Sequence, residues 1–443
     1  MASVSTLPRR AAGVRPPGSR LPRAAQVVLW VRWPTQFMAS CQRRFGDIFT
    51  VNLPVDGPIV NLAHPDLIKT VFTGDSDVLH AGEANAILEP VLGRHSVLLL
   101  DGQEHLRQRR LMLPPFHGER MQGYAGIMET VTRETVAGWP RNRVFALRRS
   151  MQAITLEVII RAVFGVDVSD EVTALRDLIT DMLAVANSPL MLLPWLRHEL
   201  GGHSPWGRFV QRNARVNEAI YALIAARRRD PRLAERSDIL ALLLQARDEQ
   251  GNQLSDVELR DELMTLLLAG HETTATSLAW CFDLLLHHPD ALRRLEHELE
   301  RGETAWLDAV IRETMRVRPV ILAVARRLTA PFEIAGYHLP PGTVVAPNIW
   351  LTHHRDDIYP DPDAFRPERF LEQAPEPYGW LPFGGGIRRC LGASFAIFEM
   401  RTVIPTVLRQ VRLRPASPEL ERVRREAVTF VPARGTRVIA TNR

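Results

Sequence analysis

Residues 383–392 have the sequence FGGGIRRCLG, which presents a cysteine directly after a glycine-rich turn. Consecutive glycines allow the chain to double back tightly, and the apolar periodicity of residues 391–404 predicts a helix that begins beside Cys390. A thiol at a helix N-terminus is biased toward thiolate, because free backbone N–H groups and the positive end of the helix dipole favour the anion. The pattern predicts that Cys390 is a ligand or a nucleophile, whereas an isolated cysteine is ordinarily a small buried hydrophobe.

Four further positions of this stretch have the spacing of a known cofactor loop. Together with Cys390, the residues Phe383, Gly386, Arg388 and Gly392 resemble the haem-binding loop of the cytochrome P-450 superfamily. In that family the cysteine is the axial thiolate on the haem iron, and its electron donation favours O–O bond cleavage. The resemblance implies haem b as the cofactor, with Cys390 on the metal and Phe383, Arg388 and Gly392 among the cofactor-binding residues.

Composition sets broad limits on the remaining chain. Its 443 residues are 46% hydrophobic, which is enough for a large core in one domain or several. Three widely separated cysteines, Cys41, Cys281 and Cys390, fit neither a disulfide framework nor a Cys-x-x-Cys metal site, so a reducing cytoplasm is expected. The net charge of +5 comes from bases scattered among acids, without an aromatic-basic module, which argues against nucleic-acid binding.

The N-terminal 40 residues are predicted to form a basic, proline-containing arm ahead of a single domain over residues 41–443. No apolar run reaches the ~18 residues expected of a membrane-spanning helix, and the arm lacks the apolar core and cleavage site of a signal peptide. A solvated arm is the first interpretation. In the second interpretation, the arm contacts an anionic membrane surface together with Trp30 and Trp33.

The pattern of apolar residues predicts a mainly α-helical fold with small β-sheets, and the resemblance implies the cytochrome P-450 fold with a long central helix over the haem. That helix is predicted over about residues 255–286, because Ser255 and Glu258 form a capping box at its start and Pro289 follows its end. Helices dominate residues 65–317. Short strands are predicted at residues 45–52, 59–62, 326–334, 343–346 and 427–440.

The middle of the long helix has the sequence AGHETT at residues 269–274. A glycine inside a helix costs about 1 kcal/mol relative to alanine, and the neighbouring acid and alcohol add polar groups to an apolar run. The segment resembles the oxygen-activation motif of the P-450 helix that passes over the haem, which implies catalytic roles for Glu272 and Thr273. In that family the helix opens locally to accommodate dioxygen, and the threonine hydroxyl with a water chain delivers protons. A polar face packed against another helix is the alternative.

Two other motifs are incomplete. The pair His271-Glu272 begins a zinc-protease pattern, but Ala275 stands where the second histidine is required. Gly384 and Gly386 begin a dinucleotide-binding pattern, but Arg389 stands where the third glycine is required.

Glu313 and Arg316 are three residues apart in a predicted helix. Such a pair on a surface contributes only a few tenths of a kcal/mol. The two residues match the family's Glu-x-x-Arg motif, and Arg369 lies in a segment that matches its Pro-Glu-Arg-Phe motif. The resemblance implies a buried structural triad that locks the loop before Cys390.

His105 and Arg109 share one face of a short predicted helix. A cation and an N–H donor on one face suit carboxylate groups such as the two haem propionates. The stretch resembles the His-x-x-x-Arg segment of bacterial family members, and Arg326 and Arg388 match two further propionate-contacting positions. Solvated arginines are the alternative, since Arg110 and Arg327 adjoin two of these residues.

The resemblance implies a haem-dependent monooxygenase that inserts one oxygen atom from O2 into an organic substrate. Electrons would come from a separate ferredoxin and its reductase, with Arg389 and Arg401 in an arginine-rich docking face. A non-catalytic haem ligand-binding protein, and a haem-thiolate protein with peroxide-driven or isomerase chemistry, are alternatives that the pair Glu272 and Thr273 disfavours. A lipophilic substrate is expected because the segments placed at the pocket by position are apolar: residues 84–92, 189–195, 266–269 and 320–324.

Overall fold

The computed structural model describes residues 15–53, 57–116, 120–165, 170–186 and 204–443. Arg9 and Arg10 of the predicted arm and the predicted pocket segment 189–195 lie outside these residues. The described helices are α1 (Arg23–Arg32), α2 (Pro34–Phe45), α3 (Pro65–Phe72), α4 (Ala81–Ala84), α5 (Glu89–Leu92), α6 (Gly102–Met112), α7 (Arg120–Gly123), α8 (Ala125–Ala137), α9 (Leu147–Phe164), α10 (Asp170–Ala186), α11 (Pro205–Arg228), α12 (Ile239–Gln245), α13 (Asp256–His287), α14 (Pro289–Glu300), α15 (Ala305–Val317), α16 (Ile349–His353), α17 (Arg369–Glu372) and α18 (Ala393–Gln410).

Short strands lie between these helices. They are β1 (Ile48–Leu53), β2 (Gly57–Leu62), β3 (Leu79–His80), β4 (Val144–Ala146), β5 (Arg326–Leu328), β6 (Phe332–Ile334), β7 (Tyr337–Leu339), β8 (Val344–Pro347), β9 (Val411–Pro415), β10 (Val423–Glu426), β11 (Thr429–Pro432) and β12 (Arg437–Asn442). The largest sheet has the order β1-β2-β8-β5-β3, in which β2 and β8 are parallel and the other pairs antiparallel. A second sheet has the order β4-β12-β9, and β6-β7 and β10-β11 are hairpins. The prediction of a mainly helical fold with small sheets is confirmed.

Three predicted strand boundaries are wrong. Residues 427–440 form two strands, β11 and β12, in place of one. Phe45 ends α2, and Gly46, with φ +89°, terminates that helix, so the first strand starts only at Ile48. The strand predicted over residues 326–334 is divided into β5 and β6, because Pro331 has no N–H to continue a ladder.

Helix α13 is the centre of the fold. It has 32 residues, and its predicted capping box is present: the Ser255 N–H donates to Glu258 Oε2 at 2.7 Å, and the Glu258 N–H donates to Ser255 Oγ at 3.3 Å. The helix packs along α9, where a Cβ added at Gly270 would lie 3.4 Å from Ile159. That distance is an ordinary van der Waals contact, so packing against α9 does not require glycine at this position.

The structured region extends further toward the N-terminus than the sequence indicated. Helix α1 falls within the predicted arm and α2 crosses its predicted end at residue 40, and Phe37 and Met38 of α2 are buried with Phe49 of β1. The division into an arm and a single domain stays a prediction. None of the helices in the described ranges is long and apolar enough to cross a membrane.

Candidate functional site

The loop before Cys390 is shaped by close contact with Phe72 of α3. A Cβ added at Gly386, which has φ +64°, would lie 2.2 Å from the Phe72 carbonyl oxygen, and one added at Gly385 would lie 2.4 Å from the Phe72 ring. Only glycine fits these two positions. The chain then returns so that the Cys390 N–H donates to the Phe383 carbonyl at 3.0 Å, which fixes the cysteine at the end of the loop.

The predicted bias of Cys390 toward thiolate is wrong for the free thiol. The Gly392 N–H donates to the sulfur, and Arg109 and Arg389 also lower the thiol pKa, but desolvation by the surrounding protein outweighs them and raises it. Helix α18 begins only at Ala393, so its N-terminus lies beyond the cysteine. The residue is nevertheless exposed, so it can meet a ligand, and a bound metal cation favours the thiolate.

The four residues predicted to bind carboxylates lie in one cluster. His105 of α6 is buried, and its pKa is lowered to about 3 by burial and then by the nearby charges of Arg388, Arg109 and Arg326. Three guanidinium groups from separate elements therefore surround one neutral imidazole. We call these four residues the cationic cluster.

The positive charge of the cationic cluster is only partly neutralised by neighbouring acidic side chains. Burial lowers the pKa of Arg326 and of Arg388 to about 10 each, and each is lowered further by another arginine of the cluster. Asp101 accepts a hydrogen bond from Arg388 and offsets part of the charge. Within the described ranges the buried Nδ1 of His105 has no hydrogen-bond partner. An anionic ligand with two carboxylates, such as the haem propionates, fits this arrangement.

The structure distinguishes the members of the two Arg-Arg pairs. Arg110 is exposed and forms an ion pair with Glu249, whereas Arg109 lies near both His105 and Cys390. Arg327 is partly exposed and donates to the Gly342 carbonyl at 3.2 Å, whereas Arg326 is buried. Arg109 and Arg326 are therefore the members of the two pairs that belong to the cationic cluster, and their role at the propionates stays a prediction.

In the centre of α13, Thr273 and Glu272 face different neighbours. The Thr273 hydroxyl donates to the Ala269 carbonyl at 2.7 Å, and Ala269 is exposed although most of the helix around it is buried. The helix continues unbroken from Asp256 to His287, so the local opening that the resemblance implied is not seen. Glu272 instead accepts from Arg148 and, at 2.7 Å, from Gln152 of α9. The structure does not join the acid to the alcohol directly.

Arg148 is a site residue that the sequence did not indicate. It is 8% exposed and pairs both with Glu272 and, at 3.0 Å, with Glu426 of β10. Its neighbour Arg149 is exposed, and nothing in the sequence distinguishes the two arginines. Arg148 therefore fixes the orientation of the Glu272 carboxylate.

The predicted triad of Glu313, Arg316 and Arg369 is present and buried. Glu313 and Arg316 are 0% exposed and form two hydrogen bonds, from Nε to Oε2 at 2.7 Å and from Nη2 to Oε1 at 2.8 Å. Arg369 Nε donates to Glu313 Oε1 at 3.1 Å. Arg316 also donates to three backbone carbonyls of the following segment, those of His353, Pro362 and Ala364.

His353 extends this attachment toward the Cys390 loop. The Leu381 N–H donates to His353 Nε2 at 2.7 Å, so the other ring nitrogen carries the proton and donates to the Arg316 carbonyl at 3.2 Å. Burial holds the His353 pKa well below its usual range. The Trp380 indole donates to the Arg312 carbonyl at 3.2 Å, and its ring packs edge-on against Phe383. Helix α15 thus holds the segment that leads into the loop.

The proposed docking arginines differ in their surroundings. Arg389 is exposed, whereas Arg401 forms an ion pair with Asp308 at 2.7 Å, which offsets its charge. The described ranges contain no group of three or more His, Cys, Asp and Glu side chains arranged to hold a metal ion.

Comparison with known proteins gives consistent matches. The family model described as cytochrome P450 matches residues 16–436. A relative named cytochrome P450 135B1 from Mycobacterium bovis is 43% identical over 429 residues, covering 96% of this chain and 90% of the relative. A relative named cytochrome P450 137 from Mycobacterium tuberculosis is 41% identical over 430 residues, which cover 96% of this chain and 90% of that relative. The solved structure of retinoic acid bound cyanobacterial CYP120A1 has a TM-score of 0.86 and 24% identity over 97% of this chain and 99% of that one.

Proposed function

This chain belongs to the cytochrome P450 family, and from that premise we propose that it inserts one oxygen atom from O2 into a lipophilic organic substrate, with electrons from a separate ferredoxin and its reductase. It is a haem b monooxygenase, an oxidoreductase that uses redox partners. The observation that carries the proposal is the exposed Cys390 at the end of the glycine-rich loop beside the cationic cluster.

Cys390 is proposed to ligate the iron, and the cationic cluster to hold the two propionates. When bound, the haem supplies the redox chemistry that reduces dioxygen, so that one oxygen atom enters the substrate and the other leaves as water. The guanidinium groups bring positive charge to the propionates in a desolvated place, where charge-assisted hydrogen bonds are strongest. His105, neutral at neutral pH, supplies an N–H donor rather than another charge.

Arg326→Gln is expected to speed haem loss roughly tenfold or more, because a hydrogen bond to a charged group is typically worth ~1.5–3 kcal/mol. The matched control is Arg327→Gln, which changes the neighbouring, partly exposed arginine. The measurement is the rate of haem transfer to an excess of apomyoglobin. Equal rates of haem transfer in the two variants would contradict the proposed role of Arg326 in binding a propionate.

Thr273 is proposed to carry a proton at Oγ1 on the face of α13 that meets the substrate. Its hydroxyl can accept a proton from water and pass on its own. Glu272 is held by Arg148 and Gln152, and we propose that it acts through water on that hydroxyl rather than by direct contact. Apolar residues beside this face, such as Leu266 and Leu268, are partly exposed and suit a lipophilic substrate.

Thr273→Ala is expected to retain haem and substrate binding but to lower the product formed per electron consumed by roughly tenfold, since a positioned proton donor often contributes ~100-fold or more to a rate. The control is Thr274→Ala, one residue further along and on a buried face of the helix. NADPH consumption and product are measured together in the reconstituted system. If Thr273→Ala formed as much product per electron as the unaltered enzyme, Thr273 would have no role in proton delivery.

The proposed reaction is tested with isotopically labelled dioxygen. A ligand-shift titration against fatty acids, sterols, terpenes and aromatics first identifies a substrate class. Turnover with ferredoxin, its reductase and labelled O2 should then place one labelled atom in the product. Product that forms only with added peroxide, or that carries no label, would contradict the proposal and favour peroxide-driven or isomerase chemistry.

A further inference from the structure

The charge of this chain is distributed unevenly. Its first 46 residues contain eight arginines and no Asp, Glu or Lys, and the whole chain has 55 basic and 50 acidic residues. By difference, residues 47–443 carry a small net negative charge. The positive charge of the protein is therefore concentrated at its N-terminal end, and that end can be attracted to an anionic surface that the remaining chain does not attract.

Helix α1 presents an apolar stripe to solvent. Ala24, Val28 and Val31 recur at helical spacing, and Val28 and Val31 are 59% and 54% exposed. Leu21, before the helix, and Trp33, after it, are 47% and 50% exposed. These four residues are among the ten exposed large hydrophobic residues in the described part of the chain, and all four fall within residues 21–33, at α1 and its two ends.

The opposite side of α1 is attached to the rest of the protein. Gln26 is 1% exposed; its Nε2 donates to the Leu21 carbonyl at 2.8 Å, and its Oε1 accepts from the Asn52 N–H at 2.9 Å. The guanidinium of Arg425 lies 3.4 Å from the centre of the Trp30 ring. Because the inner side is already packed, the outer stripe is not needed for folding, and a helix that is apolar on both sides indicates a second apolar partner.

Arginines border the stripe at both ends. Arg20 and Arg23 lie at its N-terminal end and Arg32 at its C-terminal end, and all three are exposed, as is Arg15. Within the described ranges none of the four forms an ion pair with an acidic side chain. Long arginine side chains can keep their charge in water while the helix between them is covered by an apolar phase. We call Leu21, Val28, Val31 and Trp33, with these four arginines, the N-terminal face.

We propose that the N-terminal face docks on an anionic lipid bilayer. Helix α1 lies in the plane of the interface, with Val28 and Val31 at the boundary between headgroups and acyl chains, Trp33 at headgroup level and the arginines on anionic headgroups. Nucleic acid or an acidic protein would satisfy the arginines but not the apolar stripe between them. The proposal does not depend on the reaction that the enzyme catalyses.

The test is co-sedimentation of the haem-loaded full chain with vesicles in ~0.1 M salt, where surface charges still act over about 10 Å. Vesicles of equal phosphatidylcholine and phosphatidylglycerol should carry the protein down, and pure phosphatidylcholine should not. The double variant Val28→Glu/Val31→Glu should weaken the partition coefficient by about tenfold for each valine that leaves the lipid. Unchanged haem absorbance shows that the variant is folded.

The matched control is Val144→Glu/Val257→Glu, which makes the same change in charge at valines that are 44% and 46% exposed elsewhere on the surface. It should bind vesicles like the unaltered chain. Arg20→Gln/Arg23→Gln should weaken binding to anionic vesicles by about fivefold per arginine, since each is worth ~1 kcal/mol near such a surface. No sedimentation of the unaltered chain with anionic vesicles would overturn the proposal. So would equal binding by Val28→Glu/Val31→Glu, because the partner would then be a polyanion without an apolar phase.

Discussion

Replacement of Cys390 by alanine is expected to abolish the thiolate signature of the haem, which is the absorption band of the reduced carbonyl complex that gives the family its name. Cys390 is the exposed cysteine at the end of the loop, whereas Cys41 and Cys281 are buried. Neither buried thiol can reach a ligand without unfolding its surroundings. The carbonyl difference spectrum of purified protein measures the effect.

The controls are Cys41→Ala and Cys281→Ala, which should keep the band at full intensity per folded protein. Haem content, measured separately, distinguishes loss of the iron ligand from loss of the cofactor. Cys390→Ala should still take up some haem, because the cationic cluster is proposed to hold the propionates independently of the iron. Retention of the thiolate band in Cys390→Ala would contradict the assignment of the metal ligand.

The parts of the fold that could be predicted are those with local physical causes. The bounds of α13 follow from its capping box and the proline after its end, and both lie within a few residues of the helix ends. The tight turn before Cys390 is likewise local, since glycine takes positive φ angles readily, as Gly384 and Gly386 do. The approach of Phe72 to the same glycines is not local, because Phe72 lies more than three hundred residues earlier in the chain.

The parts that could not be predicted depend on distant partners. Arg148 pairs with Glu272 and Glu426, which are more than a hundred residues away along the chain, and the exposed Arg149 beside it has the same side chain. His353 joins Arg316 to the Cys390 loop through its two ring nitrogens, and nothing around it in the sequence indicates that role. Tertiary contacts select one residue from several that look equivalent.

One expectation failed because packing outweighed a local rule. The helix-terminus argument predicted a lowered pKa for Cys390, but desolvation exceeds the contribution of the Gly392 N–H and the nearby arginines and raises it. The division into a basic arm and a single domain stays a prediction, although Phe37 and Met38, within the predicted arm, are buried beside the first sheet. Composition describes the average of a segment, and a few buried side chains decide where it lies.

Glu313→Ala is expected to lower the free energy of unfolding by ~3–5 kcal/mol, the usual cost of removing one partner of a buried ion pair. The substitution leaves the guanidinium of Arg316, which is 0% exposed, without its carboxylate, and it removes the acceptor of Arg369 as well. Because Arg316 holds the segment that leads to Cys390, haem should be lost in the same transition. Chemical denaturation followed by circular dichroism and by haem absorbance measures both effects.

The matched control is Asp290→Ala, which removes the acid of an exposed ion pair with Arg293 at the same three-residue helical spacing. Such a pair is worth under about 1 kcal/mol, so the two variants should differ several-fold. If Glu313→Ala does not accumulate as folded protein, Glu313→Gln keeps the shape of the side chain and its contact with the Arg366 N–H, and a smaller loss in the same direction is expected. Equal stability of the Glu313 and Asp290 variants, with haem retained in both, would mean that the charge of Glu313 is not what fastens the loop, and the attachment would then rest on the backbone hydrogen bonds of Arg316 and His353 alone.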